Sequence, residues 1–191
     1  MNITTERVFQ IFKELNQIPR PSHHEERVAD YLCQFAERLN LTYKRDKENC
    51  VVISKPATPG YEGAEPVALL NHMDMVCVGM SDPLNTPIDA YIENGWMKAR
   101  GTSLGADNGI GLSMALAVLE SDEIVHGPLE VITTTVLEKS TRRPVESVRC
   151  PSSMICSRML HTSSWAFSIS SNSTTDQGRR RTFSVSCPPS S

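Results

Sequence analysis

Near the start of the chain, apolar residues recur at helical spacing. Val8, Ile11, Phe12 and Leu15 fall at i, i+3, i+4 and i+7 within residues 4–17, the signature of an amphipathic helix with one face on a core. Pro19 and Pro21 follow and end it, because proline lacks the amide hydrogen and clashes with the turn before it. Ser22-His23-His24-Glu25 has the form of a capping box, in which a hydroxyl and a carboxylate satisfy the free amides of a first helical turn. It predicts a second helix near residues 23–39 that carries Val28, Tyr31, Leu32 and Phe35 inward.

The pattern then changes from helical to extended. Cys50-Val51-Val52-Ile53-Ser54 is short, β-branched and closed by Pro56, which predicts a strand. Residues 67–75 (Val67 to Met75) predict another, apolar enough at its start to lie in the middle of a sheet. Residues 109–119 return to helical spacing, with Leu112, Ala115, Leu116 and Leu119 on one face, and residues 128–135 (Pro128 to Thr135) predict a further strand. Helices interleaved with apolar strands give a layered α/β fold class, a mixed β-sheet with flanking helices, rather than a bundle or sandwich. No internal repeat is visible.

A chain of this length and apolar content makes one domain of ordinary size. Residues 140–191 depart from that uniformity. Residues 1–139 carry six lysines, six arginines, twenty acidic residues and six serines, a formal charge of −8, whereas the last fifty-two residues hold fifteen serines, seven arginines, no lysine and only Glu146 and Asp176 as acids, a charge of +5. Such a tail can be read as a basic arm for an acidic partner. Without a sustained helical or alternating period it cannot bury enough apolar surface to offset chain entropy, which predicts disorder. Translation out of frame is a third reading, and it accounts best for the abruptness of the change. The domain expectation is therefore a body, residues 1–139, and an aberrant Ser/Arg-rich tail, 140–191, disordered or out of frame.

The net charge of −3 is small and the body's charges are interspersed, which argues against nucleic acid or a membrane surface as partner. No stretch reaches the ~18 to 20 consecutive apolar residues of a membrane span, and the polar N-terminus is no secretory segment. The expected location is cytoplasmic. Six cysteines stand without a Cys-x-x-Cys pair, Cys33 and Cys77 within apolar runs, so neither disulfides nor a cysteine metal site is expected.

Two clusters carry chemistry. In His72-Met73-Asp74, strand alternation places His72 and Asp74 on one side and Met73 on the other. A neutral imidazole is a favoured zinc ligand, and a nearby carboxylate can take its second N–H and fix the ring; a strand-end histidine held by an ordinary hydrogen bond is the plainer reading. The second cluster is the glycine-rich run from Arg100 to Gly111, which fits neither Gly-x-Gly-x-x-Gly nor a phosphate-binding loop. Its Asp107 is either a carboxylate able to bridge two metal ions ~3.5 to 4 Å apart or the N-cap of the following helix.

Taken together, these segments resemble a known family, the aminoacyl-histidine dipeptidases (Xaa-His dipeptidase, peptidase D) of the di-zinc superfamily that includes aminoacylases and tripeptidases. The resemblance runs from about Glu14 to Thr135. It includes Ile18-Pro19-Arg20-Pro21-Ser22 with Glu25-Glu26, His72-Met73-Asp74-Met75-Val76, Asp82-Pro83, Gly95-Trp96, the run from Ala99 to Gly111, and His126-Gly127-Pro128-Leu129-Glu130. The resemblance implies a partial metallopeptidase catalytic domain with two zinc ions as cofactor, His72 as a zinc ligand, Asp74 as the catalytic acidic residue that orients it, and Asp107 as the bridging carboxylate. It also implies a glutamate general base within a Glu-Glu pair. Counted along the family pattern, that base falls at Leu137 and the next ligand at Glu138; leucine cannot accept a proton.

Relatives are more than twice as long and supply further ligands. The expectation is thus a truncated zinc metallodipeptidase that is weak in zinc and nearly inactive, with exposed sheet edges and an uncovered apolar face. Its expected partners are a small peptide substrate and, as an option, further copies of itself, with no nucleic acid and no membrane. An N-acyl amino acid deacylase of the same superfamily and a non-catalytic binding fragment are the alternatives. His23, His24, His126 and His161 receive no metal role.

Overall fold

The computed structural model describes residues 4–135; Leu137, Glu138, His161 and the whole of segment 140–191 lie outside them. Helix α1, Thr5–Asn16, starts where Thr4 Oγ accepts the Arg7 amide at 3.1 Å. It buries Ile11, Phe12 and Leu15 as its spacing predicts, with Val8 packed alongside. Helix α2, Glu26–Arg38, buries Val28, Ala29, Leu32, Phe35 and Ala36. Each such leucine or phenylalanine removed from water contributes about 1.5 to 3 kcal/mol.

The capping box does not form. Helix α2 begins at Glu26 without a side-chain cap; the Glu25 carboxylate accepts the His23 amide at 2.9 Å, and the Ser22 hydroxyl donates instead to Asp74 at 2.6 Å. Donation to a charged acceptor across the molecule fixes the Ser22 side chain there, away from the helix amides it would otherwise accept from.

Strands β1, Thr42–Arg45, and β2, Val51–Lys55, form an antiparallel pair. Strand β3 spans Val67–His72, and strands β4, Ala90–Glu93, and β5, Trp96–Ala99, make a separate two-stranded hairpin. Its turn is Asn94-Gly95, both at positive φ (52° and 79°), the sequence and backbone geometry that match the twist of a two-residue hairpin. Helix α3, Ala106–Glu120, leads into β6, Leu129–Thr134. Asp107 and Asn108 depart from helical angles, so regular helix begins near Gly109. Leu112, Ala115, Leu116 and Leu119 are buried as predicted.

The main sheet has the order β1-β2-β6-β3, with β6 antiparallel to β2 and parallel to β3. The fold class is as expected, a mixed sheet with flanking helices. One placement differs. β3 is an edge strand among the described residues, not a central one, and its Val67 and Leu70 are 51% and 43% exposed. An apolar run reports the capacity of a strand to be covered on both faces, but strand order depends on the crossover that carries the chain to β6.

Two polar links fasten the helices together. Arg7 donates through Nε and Nη2 to the two carboxylate oxygens of Glu120, both at 2.6 Å, joining α1 to α3. Tyr31 donates its hydroxyl to Glu14 at 2.7 Å, joining α2 to α1. Cys33, Cys50 and Cys77 are free thiols.

Candidate metal centre

β3 ends at His72, and the alternation read from the sequence holds through the next two residues. Met73 turns into the core, while His72 Nδ1 and Asp74 Oδ1 lie 3.0 Å apart. The second Asp74 oxygen accepts the Ser22 hydroxyl at 2.6 Å. From the other side, at the start of α3, Asp107 brings Oδ1 to 3.1 Å from His72 Nε2. The three residues singled out for the site, His72, Asp74 and Asp107, thus stand together. Asp107 makes no side-chain cap for α3, and its side chain is 90% exposed.

The proton bookkeeping of this trio follows from chemistry alone. An ionised Asp74 only accepts, so the hydrogen lies on His72 Nδ1, and a neutral ring then presents a lone pair at Nε2. Asp107 faces it with oxygen lone pairs. Two acceptors at that distance require a positive centre between or upon them, either a second proton on the ring or a metal ion. Two ligands of a tetrahedral zinc, each ~2.0 to 2.1 Å from the ion, stand about 3.3 Å apart, close to the spacing seen here. The donor set, a neutral imidazole and a carboxylate, fits zinc.

Among the described residues no group of three His, Cys, Asp or Glu side chains gathers around one point. The pair supplies only part of a metal's ligands. The hydrogen bond to Asp74, with a further one to Asp107, holds the His72 imidazole above its usual pKa against the opposing effect of burial. Burial pushes Asp74 upward, but the hydrogen bonds from His72 and Ser22 outweigh it and leave the carboxyl below its usual range.

Two residues around the centre had no role in the sequence reading. Ser22 was assigned to a helix cap, and Arg20 stood in a quoted motif without a function. Arg20 is buried (1% exposed), and its guanidinium donates to Leu15 O at 2.8 Å, Asn16 Oδ1 at 3.4 Å and Gly105 O at 3.0 Å. Burial pushes it down to about 10, against the raising effect of Cys77 and Asp74, so it stays charged at neutral pH. The signal that could have found it is an arginine held between two prolines, outside any helix.

His23 and His24 are exposed before α2, and His126 leads into β6 with its ring against the Gly127 carbonyl.

No protein-family model matches the chain. The cytosol non-specific dipeptidase of Escherichia coli is 45% identical over 135 residues, covering 69% of this chain and 28% of the relative. Among solved structures, the aminoacylhistidine dipeptidase of Vibrio alginolyticus superposes with a TM-score of 0.67 at 42% identity, covering 73% of this chain and 29% of that one. A tripeptidase from Staphylococcus aureus follows at TM-score 0.59 and 25% identity, and an aminopeptidase from Bacillus cereus at 0.58 and 26%; each match covers 70% of this chain and 37% of the other. The chain spans under a third of the length of the curated relative it matches. Its matched part, a mixed sheet with helices that brings His72, Asp74 and Asp107 together, is similar in sequence and fold to part of these dipeptidases.

Proposed function

We propose that the body of this chain is the metal-holding portion of a cytoplasmic zinc dipeptidase acting on small peptides, and that the chain by itself is catalytically incomplete. The observation that carries the reading is the facing pair of acceptors, His72 Nε2 and Asp107 Oδ1 at 3.1 Å, with His72 Nδ1 already engaged by Asp74. His72 and Asp107 would be the ligands, Asp107 the carboxylate shared by two zinc ions, and Asp74 the residue that fixes the ring. A bound divalent metal supplies Lewis-acid polarisation of a peptide carbonyl and acidifies water. Asp74 keeps the Nε2 lone pair aimed outward and raises its basicity. The position at which the family pattern puts its general base is Leu137, which has no proton acceptor. Losing such a group costs ~10²- to 10⁴-fold in rate.

The test is zinc titration of the whole chain beside hydrolysis of a Xaa-His dipeptide, with a full-length relative as control. Weak zinc binding, lost in both His72→Ala and Asp107→Asn, with turnover far below the control, is the expected result. Tight binding of two zincs that neither variant disturbs would refute the ligand assignment. Chelator-sensitive turnover at the control's rate would refute incompleteness.

A further inference from the structure

His72 and Asp107 belong to different elements, one ending β3 and the other opening α3, and their spacing must be set by something that touches both. The segment Arg20-Pro21-Ser22 does. It runs beside the end of β3, where the Met75 amide donates to Arg20 O at 3.0 Å, the Ser22 amide donates to Met75 O at 3.3 Å, and Pro21 bridges Met75 in parallel register. From that backbone two side chains diverge. Ser22 donates to the Asp74 oxygen that His72 leaves free, at 2.6 Å. Arg20 reaches the other way and donates to Gly105 O at 3.0 Å, two residues before Asp107.

The loop is seated closely on that guanidinium. A Cβ at Gly105 would meet Arg20 Nη2 at 2.7 Å and Met75 Sδ at 2.8 Å, and a Cβ at Gly109 would meet Arg20 Nη2 at 2.8 Å and Phe12 Cε2 at 2.7 Å. Both flanks of Asp107 therefore rest against one side chain. A buried guanidinium whose hydrogen-bond partners are neutral oxygens recovers little of its desolvation cost. As a stability device it is poor; as a rigid fork holding a helix end and a loop at fixed separation it is apt.

We propose that Arg20 and Ser22 are positioning residues of the metal centre, Ser22 fixing the His72 half through Asp74 and Arg20 fixing the Asp107 half through Gly105. The proposal rests on the metal-centre reading above. One three-residue segment then registers both halves, and neither residue touches metal or substrate.

The experiment measures zinc affinity of the full chain by competition with a chelating dye, with circular dichroism as a check on folding, for wild type, Ser22→Ala, Ser22→Thr, Arg20→Lys and His72→Ala. Partners that orient metal ligands are worth roughly tenfold or more in affinity. Ser22→Ala and Arg20→Lys should each weaken zinc by about tenfold, and Ser22→Thr, which keeps the hydroxyl, should stay within about twofold of wild type. If both weakening variants match wild type while His72→Ala abolishes binding, the positioning role is overturned and the metal reading stands. Should Arg20→Lys not fold, the Ser22 pair decides alone.

Absence of His72-dependent zinc binding in wild type would instead refute the metal reading. The ring nitrogens of His72 in the metal-free protein then read the segment directly, by ¹⁵N-detected NMR. A shift of the His72 ring-nitrogen signals in Ser22→Ala supports the bracing of His72, and unchanged ring signals overturn it.

Discussion

On α1 and α2, Leu15, Leu32 and Phe35 are sealed from solvent, whereas on β3, at one edge of the main sheet, Val67 and Leu70 stand about half in water. The contrast extends to polar groups. Arg7 with Glu120 and Tyr31 with Glu14 fasten helices to one another in partly buried positions, while Asp107 extends its carboxylate almost fully into solvent. The helical side is where folding free energy is gained; the His72 side is where a cation could be held. A protein arranged this way can lose its chemistry and keep its fold.

The sharpest way to break that division is to damage the helical side. Leu32→Ala should lose about 2 to 5 kcal/mol, as large-to-small core substitutions do, measured by urea denaturation. A loss below about 1 kcal/mol would show that the helical side is not where stability resides.

A smaller effect is expected at Tyr31. Burial and the hydrogen bond to Glu14 hold its phenol above the usual value of 10.0 in the folded state. The folded protein therefore binds that proton more tightly than the unfolded chain. The contribution is full below the unfolded value and is lost as pH rises through it toward the folded one. Stability should fall above about pH 10, and Tyr31→Phe should cost about 1 kcal/mol at neutral pH and flatten that part of the curve. A fall of equal slope in the variant would assign it to other groups.

The least effect belongs to the edge. Leu70→Thr, a β-branched replacement at a half-exposed position, should shift stability by no more than about 0.5 kcal/mol. A cost several times larger, seen by the same denaturation, would mean that β3 is covered in solution.

Legibility in the sequence follows the reach of each interaction. The faces of α1, α2 and α3 could be read because a 3.6-residue period is local, and the joint orientation of His72 and Asp74 because a strand alternates over two residues. The convergence of Asp107 on His72 was implied only by resemblance to a family. Strand β1, Thr-Tyr-Lys-Arg, went unread because all four residues are exposed and carry no apolar alternation. The β4–β5 hairpin left a readable sign in Asn94-Gly95. Ser22 offered a local cap, and only a contact across fifty-two residues showed where its hydroxyl goes. Arg20 and Gly105 are separated by eighty-five, beyond any periodicity.

That last pairing bears on how this sequence can drift. At Gly105 the backbone itself demands glycine, with φ at 69°, but Gly109 lies in regular helix and is small because Phe12 and the arginine occupy the space a methyl group would need. Positions 12, 20 and 109 are consequently one unit of inheritance, and an alanine can settle at 109 only in lineages where the side chains at 12 and 20 have both already given way.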